Sequence, residues 1–298
     1  MFDVSIIIPT RNRSEIIDVC LTALSAEVQS NTEVLIIDTS SSDTTELIVS
    51  KYPKFKYHFL GDIPYSMVTS RNYGMKVAKG EIIIFIDDDC IVQKNWLSSL
   101  TTPFIDPYVL ATGGRIIYHP WKIPNRGEPI VILDINNGKI WGEWDRVVEN
   151  NTEVCTLPGG NCAIRKEKAD KIDGFDPGFI YSANLEETDF FYRLSQVGGK
   201  FLFVPDAVVE HRAAQRTDRL ERSQRNYLWR YSLIRNKVYF FRKHRSRRGV
   251  NITIYNSLSD VISYIYNQIT GMLIFTFATI HGLISGIFSR TKYRNRYK

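Results

Sequence analysis

Cysteine is scarce in this chain, and its placement argues against a structural metal site. The 298 residues contain four cysteines, with no C-x-x-C pairing and no zinc-type spacing: Cys20, Cys90, Cys155 and Cys162. We therefore expect reduced, mostly buried thiols in a cytosolic protein, with a Cys155–Cys162 disulfide as the alternative. The first residues lead directly into strand-like sequence, so no secretory signal is expected.

Acidic residues are nearly missing from the last part of the chain. Residues 212–298 carry 18 Lys and Arg but three carboxylates, a net charge of +15. Residues 1–211 carry 20 Lys and Arg against 29 Asp and Glu, a net charge of −9. This asymmetry is typical of an acidic body with a basic extension that meets anionic lipid or nucleic acid. We predict a main domain over 1–212 and a basic helical extension over 213–298.

Strand-like and helix-like segments alternate in the first half of the chain. Near-continuous runs of Ile, Val and Phe in three of the strands indicate burial on both faces. The alternation predicts parallel strands with crossover helices, and hence an α/β sheet flanked by helices. We expect strands at 4–9, 33–38, 55–60 and 81–86, and helices from an N-cap at Ser14 to about Gln29, from a capping box of Asp43 and Glu46, and over 66–79.

The chain beyond Leu110 is less regular. A stretch rich in Gly, Pro and Trp at 119–144 is typical of long loops that shape a binding cleft. Further on, Glu186 to Gln196 fits a helix and 201–211 fits a late strand.

Three adjacent carboxylates, Asp87, Asp88 and Asp89, follow directly on the apolar segment at 81–86. Like charges at the end of a buried strand are costly unless a cation or water takes up the charge. Oxygen ligands at the carboxyl end of a strand suit a hard divalent cation, and open α/β sheets bind ligands at that edge. The alternative is a solvated acidic turn.

An ordered set of short motifs resembles the family 2 glycosyltransferases, which are inverting enzymes with the nucleotide-sugar-binding fold called GT-A. The resemblance covers about residues 3–212, and it is the order of the pieces that makes it specific. The pieces are Pro9–Arg13, Asp38–Asp43, Ser70–Gly74, Asp87–Asp89, Pro158–Asn161, Gly174–Asp176, Glu186–Asp189 and Val208–His211.

The resemblance implies a site for a UDP- or dTDP-sugar donor. The loop after the first strand and Asp38 after the second would bracket the nucleobase, since a carboxylate can accept its imide N–H. The alternative for Asp38 is a turn aspartate that bonds its own backbone. Arg71 would neutralise diphosphate charge or form a helix-surface ion pair. The expected donor-binding residues are Pro9, Thr10, Arg11, Arg13, Asp38, Arg71, Asp87 and Asp88.

The resemblance also implies a bound Mg²⁺ or Mn²⁺. Asp89 would contact the ion directly, and Asp87 would contact the ribose or ligate through water. The ion would bridge both phosphates and stabilise the departing nucleoside diphosphate. His211, at the end of a strand, is the further ligand that the family pattern suggests, with a purely structural histidine as the alternative.

Transfer to a hydroxyl group needs a base, and the family's acidic pair corresponds to Glu186 and Glu187. Glu187 matches the usual catalytic position, where Asp is more common, so the register between these two residues stays open. Asp189 belongs to the same acidic group, and we expect it to hold the site or meet the acceptor. An acidic first turn favoured by the helix dipole is the alternative.

The extension combines basic clusters with an apolar segment. Arg212, Arg216, Arg219, Arg222 and Arg225 recur at helical spacing, and the apolar segment spans 269–288. Because both flanks are basic, an interfacial helix or hairpin on the cytosolic face of an anionic membrane is expected rather than a span. Gly282 and Gly286 would allow close helix contact, and a homo-oligomer interface is the alternative.

The predicted function is metal-dependent sugar transfer with inversion to a glycan or lipid-linked acceptor, in cell-surface polysaccharide synthesis. A sugar nucleotidyltransferase is one rival, but it would need a Gly-rich phosphate loop, and 9–13 contains no Gly. A nucleic-acid-binding protein is the other rival, which the apolar segment disfavours, so no nucleic-acid partner is expected.

Overall fold

The computed structural model of this chain describes residues 4–41, 44–63, 67–119, 129–181, 184–212, 227–266 and 272–289. Side chains are described within these ranges except at 261–266 and 272–275.

The first half folds as alternating strands and helices, close to the predicted bounds. Ser14 is the first helical residue rather than the N-cap, since Arg13 occupies that position with no side-chain cap bond. Asp43, half of the predicted capping box, lies outside the described residues. The elements are β1 (Val4–Thr10), α1 (Ser14–Glu27), β2 (Thr32–Asp38), α2 (Thr44–Val49), β3 (Phe55–Phe59), α3 (Met67–Val77) and β4 (Ile82–Ile86).

The second half adds short strands and helices to the same sheet. They are β5 (Cys90–Val92), α4 (Trp96–Thr101), β6 (Val109–His119), β7 (Val131–Asp134), β8 (Lys139–Gly142), β9 (Thr152–Val154), β10 (Asn161–Arg165), α5 (Lys166–Asp170), α6 (Glu186–Ser195) and β11 (Lys200–Arg212). Strands β7 and β8 form a separate hairpin. The chain beyond Leu110 is thus less irregular than the sequence suggested.

The main sheet has nine strands in the order β3-β2-β1-β4-β10-β6-β11-β5, with β9 on β11. The first four strands are parallel, and β10 is inserted antiparallel between β4 and β6. Because β11 is parallel to β6, its carboxyl end reaches the same edge as that of β4. The predicted mixed α/β architecture is confirmed.

Two apolar layers cover the faces of the sheet. One layer contains Ile84 and Trp96, and the other contains Phe85 and Phe190. Side chains alternate between the faces of a strand, so neighbouring residues of β4 join opposite layers. This double coverage explains why its sequence is continuously apolar.

Three helices complete the described chain: α7 (Tyr227–Lys243), α8 (Arg247–Tyr266) and α9 (Met272–Phe288). Tyr239, Phe240 and Phe241 of α7 join the layer that contains Phe85. The helical extension is therefore present, and it shares a core with the sheet. The boundary at 212 stays a prediction, and Arg216 to Arg225 of the basic stripe lie outside the described residues.

Helix α9 packs closely on α7 through its glycines. An added Cβ at Gly282 would lie 2.7 Å from the Tyr231 carbonyl oxygen, and one at Gly286 would lie 2.6 Å from Val238 Cβ. The predicted close helix contact is therefore made within the chain. Among the helices that the structure describes, none is both long enough and apolar enough to cross a membrane.

Candidate active site

The predicted metal ligands converge at the carboxyl-end edge of the sheet. His211 of β11 pairs with Cys90 of β5, and β5 begins directly after the Asp87–Asp89 triplet. The Asp89 carbonyl oxygen accepts a hydrogen bond from the Arg212 N–H at 2.9 Å. The end of β11 is thus fixed against the triplet, although more than a hundred residues separate them in sequence.

Asp89 and His211 form the core of the candidate metal centre. His211 Nε2 lies 3.3 Å from Asp89 Oδ1, and both side chains are less than one-fifth exposed. Ligand atoms of Asp89, His211 and Cys90 lie within 4.8 Å of one another. Burial, followed by the charges of Asp87 and Asp89, raises the pKa of the Cys90 thiol well above its usual value. Sulfur is a soft ligand that hard cations such as Mg²⁺ disfavour, so Cys90 is the least suitable of the three residues for such an ion.

The donor set fits Mg²⁺ or Mn²⁺. Carboxylate oxygen and imidazole nitrogen are suitable ligands for Mn²⁺, and carboxylate oxygen for Mg²⁺. The Asp87 side chain is 27% exposed, so it can reach a ligand in the cleft, and its Oδ1 accepts no hydrogen bond within the described residues. Asp89, Asp87 and His211 are thus the residues that would hold the ion.

The middle carboxylate of the triplet has a different environment. Asp88 accepts hydrogen bonds from Thr10 Oγ1 at 2.7 Å and from Arg13 at 2.6 Å, and it is 3% exposed. Burial raises the pKa of Asp88 to about 6, against the lowering effect of Arg13. Arg13 also contacts Asp89 at 3.1 Å. These three side chains therefore connect the first loop to the triplet, and the donor-binding roles of Asp88, Thr10 and Arg13 stay predictions.

The contacts of Asp38 are those of a turn aspartate, the alternative to a nucleobase contact. Asp38 is completely buried, and its Oδ1 accepts a hydrogen bond from the Ser40 N–H at 2.8 Å. Its Oδ2 accepts a hydrogen bond from the Tyr57 hydroxyl at 2.8 Å. Both oxygens are therefore in use, which matches the turn alternative, and the nucleobase contact stays a prediction.

The other two residues of the first loop differ in character. Pro9 is buried within β1, opposite Ile37 of β2, so it shapes the strand end and supplies no polar side chain. Arg11 donates to the Thr39 carbonyl oxygen and pairs with Asp62 at 2.9 Å. This arginine therefore joins the loops that follow β1, β2 and β3.

Arg71 connects the triplet to the acidic pair. This α3 side chain is 2% exposed, and its guanidinium lies 3.5 Å from Asp87, 3.3 Å from Glu186 and 3.6 Å from Glu187. It also donates to the Gly159 carbonyl oxygen at 3.1 Å. The helix-surface alternative for Arg71 does not hold, because the side chain is buried among three carboxylates, and its donor-binding role stays a prediction. This guanidinium holds the predicted base next to the predicted donor site.

Two glycines let the backbone pass directly against these carboxylates. A Cβ at Gly159 would collide with Glu187 Oε2, and a Cβ at Gly160 would collide with Asp87 Oδ2. Any side chain there would displace one of the two acidic groups. The Pro158–Asn161 motif thus has a steric reason for its glycines.

Burial separates the two glutamates at the start of α6. Glu186 is 4% exposed, and burial together with the negative charge of Glu187 raises its pKa well above the usual value, although Arg71 acts in the opposite direction. The Glu187 side chain is 38% exposed. A base must be both ionised and accessible, and Glu187 meets the second requirement while Glu186 does not.

Asp189, the third predicted catalytic carboxylate, is fully buried. It accepts hydrogen bonds from Arg193 at 2.8 Å, Lys243 at 2.9 Å and His244 at 2.9 Å. These cations hold the pKa of Asp189 well below its usual value despite burial. These contacts favour the predicted role of holding the site over that of meeting the acceptor, and the role of Asp189 stays a prediction.

Sequence reasoning missed the tyrosine beside the metal centre. Tyr118 of β6 is the register partner of His211, and the two rings lie 5.6 Å apart. Burial, followed by the charge of Glu187, raises the pKa of Tyr118. Only the pairing of β6 with β11 identifies this neighbour, so no local signal in the sequence could have found it.

Comparisons with known proteins all point to one family of enzymes, the family 2 glycosyltransferases. The model of glycosyl transferase family 2 matches residues 5–173. A chondroitin synthase from Pasteurella multocida is 27% identical over 235 residues, which is 70% of this chain and 24% of the relative. An uncharacterised glycosyltransferase from Haemophilus influenzae is 29% identical over 196 residues, 64% of this chain and 62% of the relative. This chain thus corresponds to only part of each relative.

Solved structures share the fold at low identity. GalNAc-T7 with UDP, GalNAc and Mn²⁺ has a TM-score of 0.60 and 22% identity, covering 72% of this chain and 43% of that one. The mannosyltransferase PcManGT from Pyrobaculum calidifontis, with GDP-Man and Mn²⁺, has a TM-score of 0.59 and 15% identity, covering 97% and 88%. At these identities the likeness establishes the fold, and the predicted GT-A architecture is confirmed.

Proposed function

This chain belongs to glycosyl transferase family 2, and from that premise we propose that it moves a sugar from a nucleotide-diphospho-sugar to an acceptor hydroxyl with inversion. One observation carries the proposal. Arg71 holds the predicted base, Glu187, and the donor-side carboxylate Asp87 within 3.6 Å of one guanidinium. A base and a donor site must be adjacent for direct displacement at the sugar carbon.

The roles of the residues follow from their positions. Asp89, Asp87 and His211 would hold the divalent ion, which when bound supplies positive charge to the diphosphate leaving group. Glu187 accepts the proton of the acceptor hydroxyl as the new glycosidic bond forms. Arg71 and the backbone at Gly159 keep Glu187 in place. Transfer from the face opposite the leaving group inverts the anomeric carbon.

We assign the donor and acceptor by class. A UDP-sugar and Mn²⁺ are supported by the oxygen and nitrogen ligands described above and by the fold shared with GalNAc-T7, whose structure holds UDP and Mn²⁺. A growing surface polysaccharide or lipid-linked glycan is supported by the resemblance to chondroitin synthases.

Nucleotide binding with and without metal tests the proposal. UDP, dTDP and GDP are each titrated in a thermal-shift assay with and without Mn²⁺, because a ligand that binds the native state raises its stability by mass action. We expect a Mn²⁺-dependent shift with UDP or dTDP. That shift should be lost in Asp89→Ala and kept in Asp170→Ala, which removes an exposed carboxylate on α5. The proposal fails if no nucleotide diphosphate gives a Mn²⁺-dependent shift.

We further propose that the extension binds the cytosolic face of an anionic membrane. Helix α9 exposes one apolar stripe at helical spacing: Phe277, Ile280, Ile284 and Phe288. Five Lys and Arg follow within residues 290–298. Apolar burial and attraction to anionic lipid act together in interfacial helices of this composition.

A further inference from the structure

A buried ion cluster links α7 to α6. Lys243 Nζ lies 2.6 Å from Asp176 and 2.7 Å from Asp189, and all three side chains are at most 2% exposed. The cluster lies beyond the 5–173 range of the family match, and no step of the mechanism above uses it.

The two carboxylates of this cluster belong to the segments that hold the acidic pair. Asp189 lies two residues after Glu187 in the first turns of α6. Asp176 belongs to the segment before α6, and its neighbour Phe175 stacks on Phe190 with ring centroids 4.3 Å apart. The ammonium of Lys243 therefore joins α6 and this preceding segment to α7.

The contact between α7 and α6 depends on the positive charge of Lys243. Both carboxylates contact the same nitrogen atom, so their nearest oxygens are at most 5.3 Å apart. Without the ammonium, Asp176 and Asp189 would be two buried negative charges at this short distance. Arg193 and His244 would still pair with Asp189, whereas Asp176 would retain, among the described residues, only the Tyr239 hydroxyl and the Gly178 N–H. A buried charge that loses its partner is strongly destabilising, so the segments are expected to move apart.

We propose that Lys243 is a positioning residue that sets Glu187 against the acceptor by fixing the start of α6. The inference rests on the proposed function and adds to it a contribution from the helical extension. A misplacement of about 1 Å in a reacting group can cost about 10²-fold in rate, so a small shift of α6 suffices.

The test compares two substitutions that each replace a buried cation of α7 by an uncharged side chain. Lys243→Met removes the cluster's ammonium. Arg230→Met removes another buried cation of α7, whose partners are Asp260 at 2.8 Å and Thr279 at 3.2 Å, on α8 and α9. The assay is the release of nucleoside diphosphate from the nucleotide-sugar that the unaltered chain turns over. We expect Lys243→Met to lower kcat at least about 10-fold with KM changed less than about twofold, and Arg230→Met to keep kcat within about twofold.

Hydrogen exchange provides a readout that needs no donor. We expect the amides of α6 to exchange faster in Lys243→Met than in Arg230→Met at matched distance from each melting temperature. The double variant Lys243→Met/Asp176→Asn removes the ammonium together with the negative charge of Asp176. We expect it to fold even if Lys243→Met does not, and to restore part of the protection of the α6 amides.

The outcomes distinguish a failure of the positioning role from a failure of the proposed function. Unchanged α6 exchange in Lys243→Met, or equal losses of kcat in the Lys243 and Arg230 variants, would overturn the positioning role. Faster α6 exchange together with no turnover of any nucleotide-sugar by the unaltered chain would leave the positioning of α6 in place and overturn the proposed function instead.

Discussion

At the residue scale, exposure distinguishes the two glutamates that begin α6. Glu186 is buried against Arg71, while the Glu187 side chain is more than one-third exposed. We predict that Glu187→Gln keeps donor binding and loses about 10²–10⁴-fold in turnover, the usual scale for a missing general base. Glu186→Gln should retain more activity, because this substitution keeps an oxygen acceptor for Arg71.

Steady-state kinetics with donor affinity measured separately checks this prediction. Asp170→Asn on α5 is the matched control, since its carboxylate is exposed and pairs with Lys166 at 2.9 Å, away from the candidate site. A dead Glu186→Gln with an active Glu187→Gln would move the base by one residue. Loss of donor affinity in Glu187→Gln would instead assign that carboxylate to binding.

The candidate site shows which residue roles can be predicted from sequence. The carboxylate triplet and the glutamate pair could be located because each follows a recognisable motif, and the structure brings them together around Arg71. The surroundings of Asp38 could not be predicted, because its hydrogen bond from Tyr57 comes from the next strand. Lys243 carried no signal at all, because its two partners lie 54 and 67 residues away. Contacts of this kind depend on chain topology rather than on local pattern.

At the scale of elements, the contact between α7 and α9 depends on a missing side chain. A Cβ at Gly286 would approach Val238 Cβ to 2.6 Å and the Arg235 carbonyl oxygen to 2.8 Å. We predict that Gly286→Ala destabilises the protein by about 1–3 kcal/mol through overpacking. On a solvent-exposed helical position the same substitution would stabilise by about 1 kcal/mol, so the sign of the change is diagnostic.

Urea unfolding of both variants measures this effect. Ile284→Ala, on the exposed stripe of α9, is the control and should change the free energy of unfolding by less than about 0.5 kcal/mol in the absence of membrane. A stabilised Gly286→Ala would show that α9 does not pack against α7 at this distance.

Predictability also varied among the elements. The strands and helices up to β4 were located within a few residues, because their apolar runs are long and their order is regular. Strands β5 and β9 have three residues each, too few for any periodicity to show. The glycines of α9 indicated close packing, but their partner could not be named until the fold placed α7 beside them.

At the scale of the whole molecule, opposite net charges separate the main body from the extension. We predict that the full chain binds phosphatidylglycerol vesicles at low salt and that salt weakens the binding, because each Lys or Arg near an anionic surface contributes about 1 kcal/mol. Ile284→Asp should reduce binding by placing a carboxylate in the apolar stripe. Ile105→Asp, an exposed apolar position outside the extension, should not.

Vesicle sedimentation with anionic and neutral lipid measures both effects. A full chain that stays in the supernatant with anionic vesicles would contradict the membrane proposal. The apolar stripe would then be tested as an oligomer interface by measuring the mass of the protein in solution. Equal losses in the two Asp variants would show that net charge, rather than the stripe, controls binding.

The place of α7 in the sheet's apolar layer has a consequence for synthesis. Tyr239, Phe240 and Phe241 complete the layer beside Phe85 and Phe190, and all three are synthesised after those two residues. Domains tend to fold as units while the chain emerges, but here the layer over β4 has no full cover until α7 arrives. From the synthesis of β4 until that of α7, the nascent chain therefore carries an incompletely covered apolar face to which a chaperone can bind.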